Sequence, residues 1–371
     1  MSKLKITFPR IDEKMLYETN ETAMKLEAEG KRIVKLDIGD PDEPTSPQII
    51  DTALKAMKSG RTKYSSASGE KRLREKLAAI HGVPPDNVIV TTGSKWGAFS
   101  TMFLLLKPGD NIVLPSPHWS AYELIARNLG AETRHLRTRL CENWRIDTEK
   151  LQLLIDQRTR LLVLNNPNNP NSKVIDERTI SEMTQISDDK GIKVLADEVY
   201  SDISFVKTKS ILDFCASNIL IKSFSKTFAM TGWRIGYAIA EKPLIERMTK
   251  LNQITLTSVP AFIQDAALTA LELKDEIAEK SRQKYQKRAD LACDLLTRTN
   301  MKFSKPDAPF YLFPKREGLD SERFALDMLH RGVAITPGTA FGDYKEHFRI
   351  ALTAPDNDIR QGLNTICEAL E

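Results

Sequence analysis

Cysteine is scarce in this chain of 371 residues: four, at Cys141, Cys215, Cys293 and Cys367, and none in a CxxC pair. That spacing argues against a disulfide frame or a thiolate zinc site and suits reduced packing residues of a cytoplasmic protein. The five histidines show no HExxH spacing, so no metal centre is expected. No stretch approaches the roughly 18 apolar residues of a membrane span, and the opening "MSKLKITFPRIDEKM" has no apolar signal core. Charge is not blocked. Lys plus Arg total 54 against 50 for Asp plus Glu, a dispersed net of +4 without the footprint of a nucleic-acid face. No GxGxxG follows an apolar run, which disfavours a dinucleotide-dependent dehydrogenase. Internal repeats and low-complexity segments are absent too.

What is present is an α/β pattern. The length fits one large domain and a smaller one. An amphipathic helix is expected over 11–30, ended by Gly30. Between about 47 and 240, helical stretches alternate with the short apolar runs "NVIV", "NIVL", "RLLVL", "IKVLA" and "NILI". Runs of that length separated by helices predict βαβ units and a mostly parallel sheet covered on both faces. One long helical pattern near 262–300 has ten charges between Lys274 and Asp290, which suits a solvated connecting helix. Beyond it, "FYLF", "HFRIALT" and helices near 321–330 and 357–370 indicate a smaller α+β part. The expected division is 46–275 for the large domain, with 1–45 and 276–371 forming the small one.

In open α/β sheets, ligands bind beyond the carboxyl ends of the strands, so the residues after each run matter most. After "NVIV" come Gly93, Ser94 and Lys95, a glycine turn opening a helix, which suits a phosphate. After "NIVL" comes Trp119 in a proline-pinned loop, able to stack on a flat ring. "RLLVL" leads into "NNPNNPNS", with Asn169; "IKVLA" leads into Asp197 and Tyr200. Singly these have plainer readings: a helix cap, a core tryptophan, an N-cap. After "NILI" comes "KSFSKTFAMTGWRIGYA", with Ser223, Ser225, Lys226 and Arg234. Together the five ends offer an anion cradle, an aromatic, amides, a carboxylate and an amine. A phosphorylated, protonatable heteroaromatic aldehyde, pyridoxal 5′-phosphate, uses all of them.

These motifs, in this order across nearly the whole chain, resemble the fold-type I, class I/II pyridoxal-phosphate aminotransferases of the aspartate and aromatic type. The resemblance implies a large domain with a seven-stranded-type, mostly parallel sheet flanked by helices. It implies a Schiff base on Lys226 and phosphate contacts from Ser223, Ser225, Arg234 and the Gly93-Ser94-Lys95 turn. Asp197 would face the ring nitrogen, Asn169 and Tyr200 the phenolic oxygen, and Trp119 the ring face. "HFRIAL" supplies Arg349 for the substrate α-carboxylate, with Gly39 of "LDIGDPDEPTSP" close by. Tyr64 of "KYSSASGEKRLRE" would reach the phosphate of a partner subunit, implying a homodimer with active sites at its interface. The implied reaction is ping-pong transamination from an L-amino acid, aspartate or aromatic, to a 2-oxo acid such as 2-oxoglutarate. Lys95 matches a lysine used against a distal carboxylate. Several positions depart from the pattern: Asn171-Ser172 replace Thr-Gly, Asp40 replaces Glu, Pro309 replaces a small residue, and Lys14, Met15 and Leu16 replace Ser and Thr. A C–S lyase or decarboxylase of the same fold, or a non-catalytic ligand-sensing domain, are the alternatives. Against a sensor, no helix-turn-helix pattern or basic arm precedes the motifs.

Overall fold

A computed structural model describes residues 16–370. The N-terminal helix is Leu16–Ala28; residues 11–15 of the expected span, Lys14 and Met15 among them, lie outside the described residues. In chain order the strands are β1 (Val34–Lys35), β2 (Val88–Thr91), β3 (Asn111–Ser116), β4 (Glu132–Arg137), β5 (Thr159–Asn165) and β6 (Lys193–Asp197). They continue with β7 (Ile219–Ser223), β8 (Gly236–Ile239), β9 (Tyr311–Leu312), β10 (Val333–Ala334), β11 (Thr336–Pro337) and β12 (Phe348–Ala351).

The seven-stranded sheet has the order β2-β8-β7-β6-β5-β3-β4. Only β8 is reversed, antiparallel to both β2 and β7. All six other strands therefore end at one edge, which is where the five motif-bearing loops emerge. The apolar runs become strands because both sides are covered. Val88 and Val90 enter one core with Leu162, Leu164 and Leu220, while Ile89 enters another with Leu161, Val163 and Ile219. That alternation is the two-residue period of a strand expressed on two buried faces.

Two strands of this sheet escaped the apolar-run reading. β4, "ETRHLR", is an edge strand with mostly exposed or half-buried residues, so it carries no apolar run. β8 begins at Gly236, where a Cβ would lie 2.6 Å from the Lys222 carbonyl and 2.9 Å from Gly93. Only glycine lets this strand lie between β7 and the Gly93 turn.

The helical pattern near 262–300 is two helices, Ala261–Glu272 and Lys274–Leu296, separated at Leu273. The second is not simply solvated. Its stripe of Ala278, Tyr285, Arg288, Ala289 and Ala292 is buried, with Arg288 ion-paired to Asp42 at 2.8 Å and Asp356 at 2.7 Å. Beyond it, β11, β12 and β9 form a three-stranded antiparallel sheet, and β1 pairs with β10. Val34 and Leu36 join the core of this part with Phe348, Ile350, Leu363 and Ile366. No helix among the described residues is long and apolar enough to cross a membrane.

Candidate active site

A cavity of about 500 Å³ opens at the carboxyl edge of the seven-stranded sheet and is closed by residues from the N-terminal loop, β9, β11 and β12. Gly39, Ser94, Lys95, Trp119, Asn169, Asp197, Tyr200, Ser223, Ser225, Lys226, Arg234 and Arg349 all line it. Gly93 sits just behind, at φ +84°, where a Cβ would meet the Arg234 guanidinium at 2.9 Å. Tyr64 does not line this chain's cavity; its side chain is 87% exposed.

β7 runs buried to Ser223, and the chain then returns as antiparallel β8, so Lys226 and Arg234 leave and re-enter the sheet at the same edge. The Ser223 hydroxyl donates to Ser225 Oγ at 2.8 Å and accepts from the Ser225 amide at 3.1 Å. Arg234, at φ +55°, donates to the Thr231 carbonyl at 2.8 Å and the Thr92 carbonyl at 3.4 Å. Its guanidinium thereby sits over the N-terminus of the helix Ser94–Leu105. Free amides, hydroxyls and a guanidinium converge here, a set that holds a phosphate dianion. Lys226 Nζ donates to the Gly39 carbonyl at 2.5 Å. A Cβ on Gly39 would lie 1.8 Å from the Tyr311 hydroxyl, so no side chain fits there.

Asp197 ends β6, fully enclosed. Its Oδ2 accepts from the Tyr122 hydroxyl at 2.8 Å and its Oδ1 from the Val199 amide at 3.3 Å. Neither donor is a cation. Burial pushes its carboxyl up to about 7 despite those hydrogen bonds. A buried carboxylate facing a cavity without a cationic hydrogen-bond partner fits a ligand that brings a protonated nitrogen.

The opposite wall presents the converse. Arg349 is buried, donating to Asn169 Oδ1 at 2.9 Å, to Thr336 Oγ1 at 3.3 Å and to the Asp37 carbonyl. Its plane lies against the rings of Tyr311 and Phe341, 4.5 and 4.9 Å from their centroids. Its Nε has no partner, and among the described residues no carboxylate oxygen hydrogen-bonds it. Such a guanidinium suits an incoming carboxylate. Asn169 is itself fixed, its amide donating to Asn165 Oδ1 at 2.7 Å. With Oδ1 engaged by Arg349, Nδ2 is the atom left to donate into the cavity. Tyr200 and Tyr311 share a hydroxyl contact of 3.1 Å. Lys95 holds its ammonium 5.0 Å over the Trp119 ring; desolvation, then the charges of Arg234 and Lys226, lower its pKa.

Sequence reasoning missed Tyr122, Asn165, Asp37, Thr336 and Tyr311, all of which line the cavity. Tyr122 stands three residues after Trp119, edge-on to it at 5.3 Å, and that helical spacing was the available signal. Asn165, the last residue of β5, was the first letter of the quoted "NNPNNP". Asp37 and Thr336 carried no chemical signature.

The model of the family Aminotransferase class I and II matches residues 31–366. An aspartate aminotransferase of Thermococcus kodakarensis is 36% identical over 91% of this chain and 88% of its own. A (5-formylfuran-3-yl)methyl phosphate transaminase of Methanocaldococcus jannaschii is 33% identical over 94% of both. The solved aspartate aminotransferase of Thermus thermophilus with maleate superimposes at a TM-score of 0.94 and 29% identity, covering 98% of this chain and 100% of that one. The chain belongs to the class I and II aminotransferases. It is a pyridoxal-phosphate-dependent transaminase, moving an amino group from an amino acid to a 2-oxo acid, and the cavity's unmatched carboxylate, amine and phosphate cradle fit that cofactor.

Proposed function

We propose that this aminotransferase prefers a donor with a second anionic group, aspartate, and uses 2-oxoglutarate as acceptor. The observation that carries the reading is the pair of cations from different parts of the fold lining one cavity. Arg349 comes from β12, and Lys95 from the helix after β2. Relatives named for aspartate, and one named for a phosphate-bearing aldehyde, are consistent with an anion at the far end of the substrate.

The bound cofactor supplies an aldehyde for amines and a ring that withdraws electrons when a substrate Cα–H bond breaks. Around it, Lys226 would hold the cofactor between turnovers, and its Nζ would take the proton from substrate Cα as a general base. Asp197 would hold the proton on the ring nitrogen. Asn169 Nδ2 and Tyr200 Oη would donate to the phenolic oxygen, and Trp119 would cover the ring face. Ser94, Ser223, Ser225, Arg234 and the Gly93 turn would bind the phosphate. Arg349 grips the α-carboxylate with two N–H donors beside Gly39, and Asn169 helps orient that grip. Residues 46–275 form the cofactor-binding domain and 1–45 with 276–371 the second, the cavity lying between them. Two chains pair with Tyr64 crossing to the other's phosphate, in the cytoplasm; the exposure of that tyrosine supports such a pairing.

A half-reaction screen tests the donor. Mixed with single amino acids, the enzyme is expected to lose its cofactor absorbance fastest with aspartate and glutamate. Lys95→Met is expected to raise the KM for aspartate by about tenfold or more, the loss of one charge-assisted contact, while sparing alanine. Fastest reaction with phenylalanine or tyrosine would overturn the dicarboxylate reading.

A further inference from the structure

We propose that His118, Glu123 and His135 form a binding site for one divalent transition-metal ion with zinc's ligand preference, separate from the cofactor cavity. Their ligand atoms lie within 4.8 Å of one another. His118 Nε2 is 3.3 Å and His135 Nε2 3.8 Å from the same carboxylate oxygen, Glu123 Oε2. Bonds of about 2.0–2.1 Å to a tetrahedral ion set ligand–ligand separations of about 3.4 Å. One edge of such a site is therefore in place, and the second is within about half an ångström of it.

The surroundings suit an ion as well. The two imidazoles stack, with centroids 5.1 Å apart and planes 19° apart, so both present Nε2 to one oxygen. The other carboxylate oxygen, Oε1, accepts from Arg127 Nη2 at 2.6 Å, an outer hydrogen bond that orients the ligand. His118 is 2% exposed, whereas His135 is 40% exposed and can adjust. Two nitrogens and one oxygen leave a fourth position for water, the open arrangement zinc tolerates.

No sequence spacing announces this set, because its members come from the loop after β3, the helix Ala121–Asn128 and edge strand β4. An ion there would tie β4 to the stretch that carries Trp119 and Tyr122 into the cavity.

The test is titration of chelator-treated holoenzyme with Zn²⁺ against a chromophoric competitor. One ion per chain is expected. His135→Ala is expected to weaken that binding by about 100-fold or more, and Arg127→Ala by about tenfold. Zn²⁺ should raise the Tm of the wild type and leave that of His135→Ala unmoved, while the variant's metal-free activity stays unchanged. Sub-stoichiometric binding by the wild type, or equal affinity of wild type and His135→Ala, would overturn the site.

Discussion

Asp197 and Asp202 are five residues apart, both enclosed, and opposite in behaviour. Asp202 receives two lysines, Lys222 from β7 at 2.9 Å and Lys274 at 3.2 Å. Burial opposes its charge, yet those cations, Lys222 foremost, hold its carboxyl at about 2. Asp197 has only a phenol and an amide, and burial leaves it at about 7. The protein completes one carboxylate from its own chain and leaves the other incomplete on the side that faces the cavity. Strength of charge is thus no guide to function here; the absence of a cationic hydrogen-bond partner is.

The comparison breaks most visibly at Asp197. In the proposed role Asp197 holds the ring proton; Asp197→Asn is then expected to lower kcat by about 10²–10⁴, the effect of losing one member of a buried pair. The same change should help the cofactor-free protein. Because the folded-state carboxyl is raised from 3.8 to about 7, the contribution of this group to wild-type stability declines as pH rises from about 4 to 7 and then levels. Across that range the urea midpoint of wild type should fall relative to that of Asp197→Asn.

Lys222→Met attacks the completed pair. Leaving Asp202 with Lys274 alone is expected to lower stability by about 3 kcal/mol in urea unfolding. The Asp202 contribution has the reverse pH sign: present above pH 4, it is lost as pH falls toward 2. The gentlest probe is Tyr122→Phe, which removes the neutral donor from Asp197. It is expected to raise that carboxyl further and cut kcat/KM about tenfold, as for one hydrogen bond to a charged group. A stability loss matching that of Lys222→Met would erase the distinction between the two acids.

How much was legible follows the same division. Residues placed by a strand end, such as Lys226, Asp197 and Asn169, could be found because an apolar run followed by a polar residue is visible in one dimension. The wall that meets them was less readable. Asp37, Thr336 and Tyr311 reach the cavity through three-dimensional closure, and only the "HFRIAL" pattern pointed to that side. Edge strand β4 lacked an apolar run because its flank is solvated. Ser172 shows how a departure is absorbed. It stands where glycine is usual and adopts φ +53°, its hydroxyl donating to the Pro309 carbonyl at 3.3 Å and accepting from the Tyr311 amide at 3.2 Å. The hydroxyl supplies contacts that a glycine cannot make.

The reversed strand β8 has a consequence for how the molecule assembles. Twelve residues, 224–235, separate β7 from β8, so the hairpin that positions Lys226 closes over a short contour. The Arg349–Asn169 contact spans 180 positions, and ordering a flexible chain over that distance costs about 2 kcal/mol more entropy than over a dozen. The surroundings of Lys226 are local in sequence and the Arg349–Asn169 contact is remote, so folding can build the first before the second.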